Sequence, residues 1–258
     1  MTERPLHPPL PPEPPRARWL RPALVSPWAE FLLVAALALA LPIRNSTVAA
    51  LDGSSSRFVQ MLLSNNRLLE AIFFEAAFLA LFLFYLHRRG WKPADFRISL
   101  GWWTSAQGVA LLVVTEVAAI ATLFILLAAT YALQTRYSTF LSFVFSMSPH
   151  LERHSIHLSW PVIVVAMIVN AFFEELICMG YIFNQLAARR GPLTALVVTV
   201  FLRAACHTYQ DPVHLAGIVV LFSIYGIWYW RTGRLWPLIF AHLLLDLGSV
   251  SAIKLLFS

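Results

Sequence analysis

Glu174 and Glu175 stand side by side within an apolar run, Trp160 to Leu186 (WPVIVVAMIVNAFFEELICMGYIFNQL), long enough to cross a bilayer. A charged side chain near the middle of a membrane helix costs about 2.5 to 3.5 kcal/mol on insertion scales, and neighbouring carboxylates also repel. Such a pair points to an active site inside the membrane. Two carboxylates held together do not both ionise easily, so identical side chains supply an acid and a base. Arg203 and His207 follow in the next apolar stretch but one helical turn apart, and His242 and Asp246 repeat that four-residue spacing further on. A hydrolytic reading gives each a task. Glu174 or Glu175 activates water, and His207 holds or deprotonates it. His242 and Asp246 donate to the oxyanion or orient its donors, with Asp246 protonated or acting through His242.

Helices in lipid must position these groups. Hydrophobic residues make up 59% of the 258 and charged ones 12%, and mean hydropathy is +0.70. That composition excludes an ordinary soluble domain. Residues 1–27 hold nine of the sixteen prolines and four arginines without the apolar core of a signal peptide, and read as a disordered cytoplasmic tail. Residues 28–258 form an all-α, polytopic membrane bundle. Seven apolar stretches are of spanning size, 28–43, 68–86, 105–133, 160–186, 192–210, 213–230 and 235–257, with six to eight spans as the range. Helix starts are marked at Trp160-Pro161 and at Gly191-Pro192. The segment 137–148 is placed at the interface or dipping into the membrane.

The net charge of +6 does not indicate nucleic acid, because the basic residues cluster at span ends and in loops. With the amino terminus inside, twelve Lys and Arg fall on the inner side and six on the outer, so the carboxyl terminus lies outside. His207 then comes late in an outward-going span, whereas His242 lies about 10 Å from the inner end of its own span at 1.5 Å per residue. The two depths disagree. The first favours a site opening to the outer face.

Cys178 and Cys206 have no metal-type spacing around them and read as packing residues. His150, His154 and His157 read as an inert loop cluster. Glu75 and Glu116 are further carboxylates in apolar stretches, read as structurally paired within the bundle, with lining of a substrate path as the alternative. Gly180 is read as a point of close helix approach, and Asn170, four before Glu174, as a hydrogen-bond partner on its face. A rhomboid-type serine site lacks its Gly-x-Ser-Gly turn, and an aspartyl site lacks its second intramembrane aspartate, since Asp246 is the only one in the spans.

The order and spacing of residues 160–250 resemble the CPBP intramembrane proteases (CAAX proteases and bacteriocin-processing enzymes, also called Abi). Phe173-Glu174-Glu175-Leu176-Ile177-Cys178-Met179-Gly180-Tyr181 is similar to that family's first motif, with Met179 where the motif has arginine. His207 matches the second motif, with Arg203 where a phenylalanine is usual, and His242 with Asp246 matches the third. The resemblance implies that Glu174 and His207 position the attacking water, with Glu175, His242 and Asp246 in support. It leaves metal use open: no cofactor is required for a glutamic-type site, and zinc is admitted by the donor types, although no His-Glu-x-x-His helix is present. Arg203 is expected to reach across to Glu175 and restore the cation lost at Met179. The partners expected are the bilayer and a membrane-anchored protein or peptide, such as a prenylated carboxyl terminus, a bacteriocin leader or the anchor of a carboxyl-terminal sorting signal. The location expected is a bacterial inner membrane. A proton-coupled transporter, or a degenerate relative acting as scaffold or immunity protein, is the competing reading.

Overall fold

The computed structural model describes residues 26–134, 158–210 and 212–257. The proline-rich tail through residue 25, the 137–148 segment and the three loop histidines lie outside them. The described residues form nine helices and contain no strand: α1 (Pro27–Leu51), α2 (Ser55–Leu62), α3 (Asn65–Arg88), α4 (Trp102–Gln134), α5 (Trp160–Glu175), α6 (Asn184–Arg190), α7 (Pro192–Cys206), α8 (Pro212–Thr232) and α9 (Trp236–Phe257). A 3₁₀ turn, Pro93–Phe96, precedes α4, and a π-helical segment, Leu176–Phe183, joins α5 to α6.

Local chemistry sets the ends. Ser26 accepts the Ala29 N–H at 3.2 Å ahead of α1, and Ser64 accepts the Arg67 N–H ahead of α3. Prolines stand in the first turn of α1, α5 and α7, where a missing N–H costs nothing. Gly191, at φ 85°, makes the break between α6 and α7 in a region that side chains avoid. Both helix starts expected from the sequence are present.

Among the described residues six helical stretches are long and apolar enough to span a membrane: Trp28–Leu51, Asn65–Arg88, Trp102–Leu126, Trp160–Arg190, His214–Thr232 and Trp236–Leu255. α7 is apolar but has only 15 residues, about 22 Å of helix, so it is the short member of the expected seven. Large apolar side chains such as Leu33, Phe73, Leu81, Phe124, Ile125 and Phe201 are exposed on the bundle surface. In a bilayer that surface meets acyl chains, as an integral multi-pass protein requires.

The span carrying the glutamate pair is the central one. Within its most apolar stretch 56% of residues are buried, against 28% or less in the other five. α3 and α9 pack on α5, α7 packs on the π segment and on α8, and α4 packs on α8 and α9. Every residue from Glu175 to Phe183 is buried. That stretch has no lipid face, whereas Val164, Val165 and Ile168 earlier in the same span are exposed, and the wider π turns occur where side chains must be re-aimed, often at functional sites. An uninterrupted apolar string carries no periodic signal for this, so the π segment was not legible in the sequence.

Gly180 receives the Phe96 ring of the 3₁₀ turn, at 3.1 Å from where a Cβ would stand, so its close neighbour is that ring and not another spanning helix. Gly108 on α4 is the tighter approach. A Cβ there would lie 2.9 Å from the Pro237 carbonyl oxygen and 3.1 Å from Phe240 on α9. Backbone cannot rotate away as a side chain can. Gly108→Ala is therefore expected to separate α4 from α9 and cost about 1 to 3 kcal/mol, read as a lowered thermal midpoint in detergent against wild type.

Candidate active site

Three helices converge through the side chains they aim inward. The last turn of α5 carries Glu174 and Glu175, the last turn of α7 carries Arg203, and the second turn of α9 carries His242. Glu175 is fully buried, Arg203 is 1% exposed and His242 4%. An isolated charge could not remain there. Arg203 Nη2 donates to Glu175 Oε1 at 2.5 Å and to Glu174 Oε2 at 3.2 Å. The His242 Nδ1–H donates to the same Glu175 oxygen at 2.9 Å, since a carboxylate only accepts. The Arg203 guanidinium also lies over the Phe222 ring of α8, its Cζ 3.6 Å from the centroid, which covers its remaining face with a π cloud.

The expected reach of Arg203 to Glu175 is thus present. It changes the account of the acid pair: the repulsion expected between the glutamates is relieved by a shared guanidinium. Met179, at the family's arginine position, is fully buried among apolar residues. Arg203 lies about 16 Å along α7 from Pro192, and His242 about 9 Å along α9 from Trp236. A long arginine side chain spans such a difference.

A second set of groups is more open. The side chain of Glu174 is 21% exposed and that of Asp246 23%. Asp246 Oδ2 lies 3.5 Å from His242 Nε2 and accepts a hydrogen bond from Asn170 Nδ2 at 2.9 Å. Asn170, expected to hydrogen-bond on the face of Glu174, has Asp246 as its partner across the α5–α9 interface. Sequence spacing saw the helical face but not the helix opposite.

His207 is the cap residue after α7, one past Cys206, and not an interior residue of a span. Its Nδ1–H donates to the Arg203 carbonyl at 2.9 Å, so Nε2 is left as an acceptor. Tyr209 stacks on its ring at 6.2 Å and Phe222 meets it edge-on at 5.8 Å. His207 lies within electrostatic reach of Glu174 and of Asp246. All five titratable residues singled out in the sequence, and Arg203, are brought to one place.

Two residues from outside the motifs join them. Glu75 on α3 is within electrostatic reach of Glu174, Asp246 and His242, and among the described residues no hydrogen bond or ion pair engages it. It is not the paired structural carboxylate the sequence suggested. Tyr225 on α8 is fully buried and lies near Glu175 and Arg203. Only its position on an apolar helix was visible beforehand. Glu116 on α4 is within electrostatic reach of Tyr225.

Zinc would need three converging donors. Among the described residues no three His, Cys, Asp or Glu side chains form such a group. Glu175 Oε1 and His242 Nδ1 are already engaged with each other and with Arg203, so these two atoms are not open to a metal.

Residues 156–248 match the family model described as "Type II CAAX prenyl endopeptidase Rce1-like". The match spans all three constellations and agrees with the resemblance drawn from the motifs. No curated protein and no solved structure matches the chain.

Proposed function

We propose that this chain, Rce1-like over residues 156–248, is an intramembrane endopeptidase that cuts a membrane-tethered peptide with water activated by Glu174 and His207. One observation carries the reading: Arg203 binds the glutamate pair through a buried contact to Glu175, while Glu174 keeps a partly open side chain. The two glutamates thereby take different tasks. Glu175 is held with Arg203 and His242 as a fixed frame, and Glu174 faces the reactants.

In this mechanism Glu174 and the free Nε2 of His207 each accept a hydrogen bond from one water. The water oxygen attacks the scissile carbonyl carbon as Glu174 takes one of its protons. His242 is held through Nδ1, so its Nε2 edge is the one directed at Asp246 and the reacting centre; as an imidazolium it presents an N–H to the oxyanion. Glu174 then returns its proton to the leaving amine nitrogen as the C–N bond breaks. Atoms balance with water as the only co-reactant.

The substrate class we infer is a protein anchor, with trimming of carboxyl-terminal sorting signals as the specific form. The support is the place of His207 at the outward end of α7 in the charge-derived topology. The type II CAAX family description names prenyl proteins, and a prenylated carboxyl terminus is the competing substrate. A degenerate scaffold fits less well, because a lost motif arginine with no function to preserve gives no reason for a buried arginine on the neighbouring helix.

The test is intact-protein mass spectrometry of membrane and released fractions from cells carrying wild type or Glu174→Ala. A defined set of proteins left uncut only in the variant is expected, and the new termini identify the substrate class. Matching profiles, with the variant expressed at the wild-type level, would overturn the reading.

A further inference from the structure

Ser46 lies on α1, far outside the matched segment, and is fully buried. It joins the turn that carries His207 through two contacts: Tyr209 N–H donates to Ser46 Oγ at 3.0 Å, and Ser46 Oγ lies 2.9 Å from Thr208 Oγ1. The protons can be assigned. Thr208 O–H donates to the Ala205 carbonyl at 3.3 Å, so Thr208 Oγ1 accepts from Ser46, whose own oxygen accepts from Tyr209. Each hydroxyl donates once and accepts once.

This chain of bonds closes a helix end. Carbonyls in the last turn of a helix lack an intrahelical donor, and here His207 N–H reaches the Ala204 carbonyl at 2.9 Å and Gln210 N–H the His207 carbonyl at 2.9 Å. α2 adds the Phe58 ring, edge-on to Tyr209 at 5.1 Å, while Tyr209 stacks on His207. The imidazole is thus fixed from one side by Arg203 and from the other by a turn that α1 and α2 hold.

We propose that Ser46 is a positioning residue for His207, so that α1 is part of the catalytic apparatus and not a membrane anchor alone. The proposal rests on the peptidase reading for its kinetic arm only. A residue that orients a water-holding group acts on the reaction step more than on binding, and small displacements there are costly.

The experiment uses the full chain in detergent with a tethered peptide substrate. Ser46→Ala is expected to lower kcat by roughly 10- to 100-fold with KM little changed. Ala38→Gly loosens the same helix at another fully buried position and is expected to keep wild-type kcat. In parallel, the rate at which diethyl pyrocarbonate modifies His207, followed by mass spectrometry, is expected to change at least about twofold in Ser46→Ala and not in Ala38→Gly, because only the former frees the turn. Equal kcat and equal labelling in Ser46→Ala and wild type overturn the proposal, as does a parallel fall in both variants. If the wild-type chain does not cleave the peptide, the peptidase reading fails by itself, and if Glu174→Ala cleaves at the wild-type rate, the role given to Glu174 fails; in both cases the labelling rate continues to decide on Ser46. Thr208→Val, which removes the acceptor and leaves Ser46 in place, carries the same expectation should Ser46→Ala not assemble.

Discussion

Arg203→Ala is expected to abolish cleavage and to destabilise the protein by about 3 to 5 kcal/mol, the range found when one partner of a buried ion pair is removed. The cost comes mainly from what remains. Glu175 is fully buried, and without the guanidinium at 2.5 Å its carboxylate keeps only the His242 N–H. Arg203→Lys is expected to recover part of the stability and less of the activity, since an ammonium that reaches both carboxylates, as Arg203 Nη2 does, does not replace the guanidinium over Phe222. The measurements are thermal midpoint in detergent and turnover of a tethered peptide. A cation returned to the first motif gives the sharper form of the test: Met179→Arg combined with Arg203→Phe is expected to be more stable than Arg203→Phe alone. An Arg203→Ala protein with wild-type midpoint and full turnover would falsify the view that the cation was relocated.

Substitution of the two glutamates is expected to separate chemistry from architecture. Glu174→Gln keeps the hydrogen-bonding shape of a partly open side chain, so it should assemble normally and lose about 10²- to 10⁴-fold in kcat, the usual contribution of a general base. Glu175→Gln places an amide between Arg203 and His242, which both donate to that position. Its oxygen can still accept both bonds, but the NH₂ group then takes the place of the buried Glu175 Oε2, and Arg203 keeps only Glu174 at 3.2 Å as a counter-charge, so loss of stability is expected alongside loss of activity. Kinetics and melting on the two variants side by side read this out. Two variants that lose activity equally at unchanged stability would mean that Glu175 also faces the reactants.

How the chain reads beforehand follows from which interactions are local. The glutamate pair, His207, His242 and Asp246 were all legible, because an ionisable residue in an apolar stretch is expensive and therefore conspicuous. The helical spans were legible for the same reason, since about 20 apolar residues in succession have few other uses. Helical spacing puts Asn170 on the face of Glu174 but does not show its partner, Asp246 on α9. The nearness of Glu75 to the site depends on how α3 leans on α5, which no local pattern carries. The π segment and the Ser46 clamp left no trace, the first because a uniformly apolar string has no period, the second because a serine in a membrane helix is ordinary.

Composition and patterning thus establish a helical membrane bundle and the charged residues it keeps in lipid, through the cost of moving charge and unpaired backbone out of water. How those residues divide the work depends on the packing of one helix against another. Which glutamate is sealed and which is open, and which distant helix steadies His207, are set by contacts between segments up to 163 residues apart. Such contacts form because each buried polar group must find a partner, and the nearest partner in space belongs to another helix.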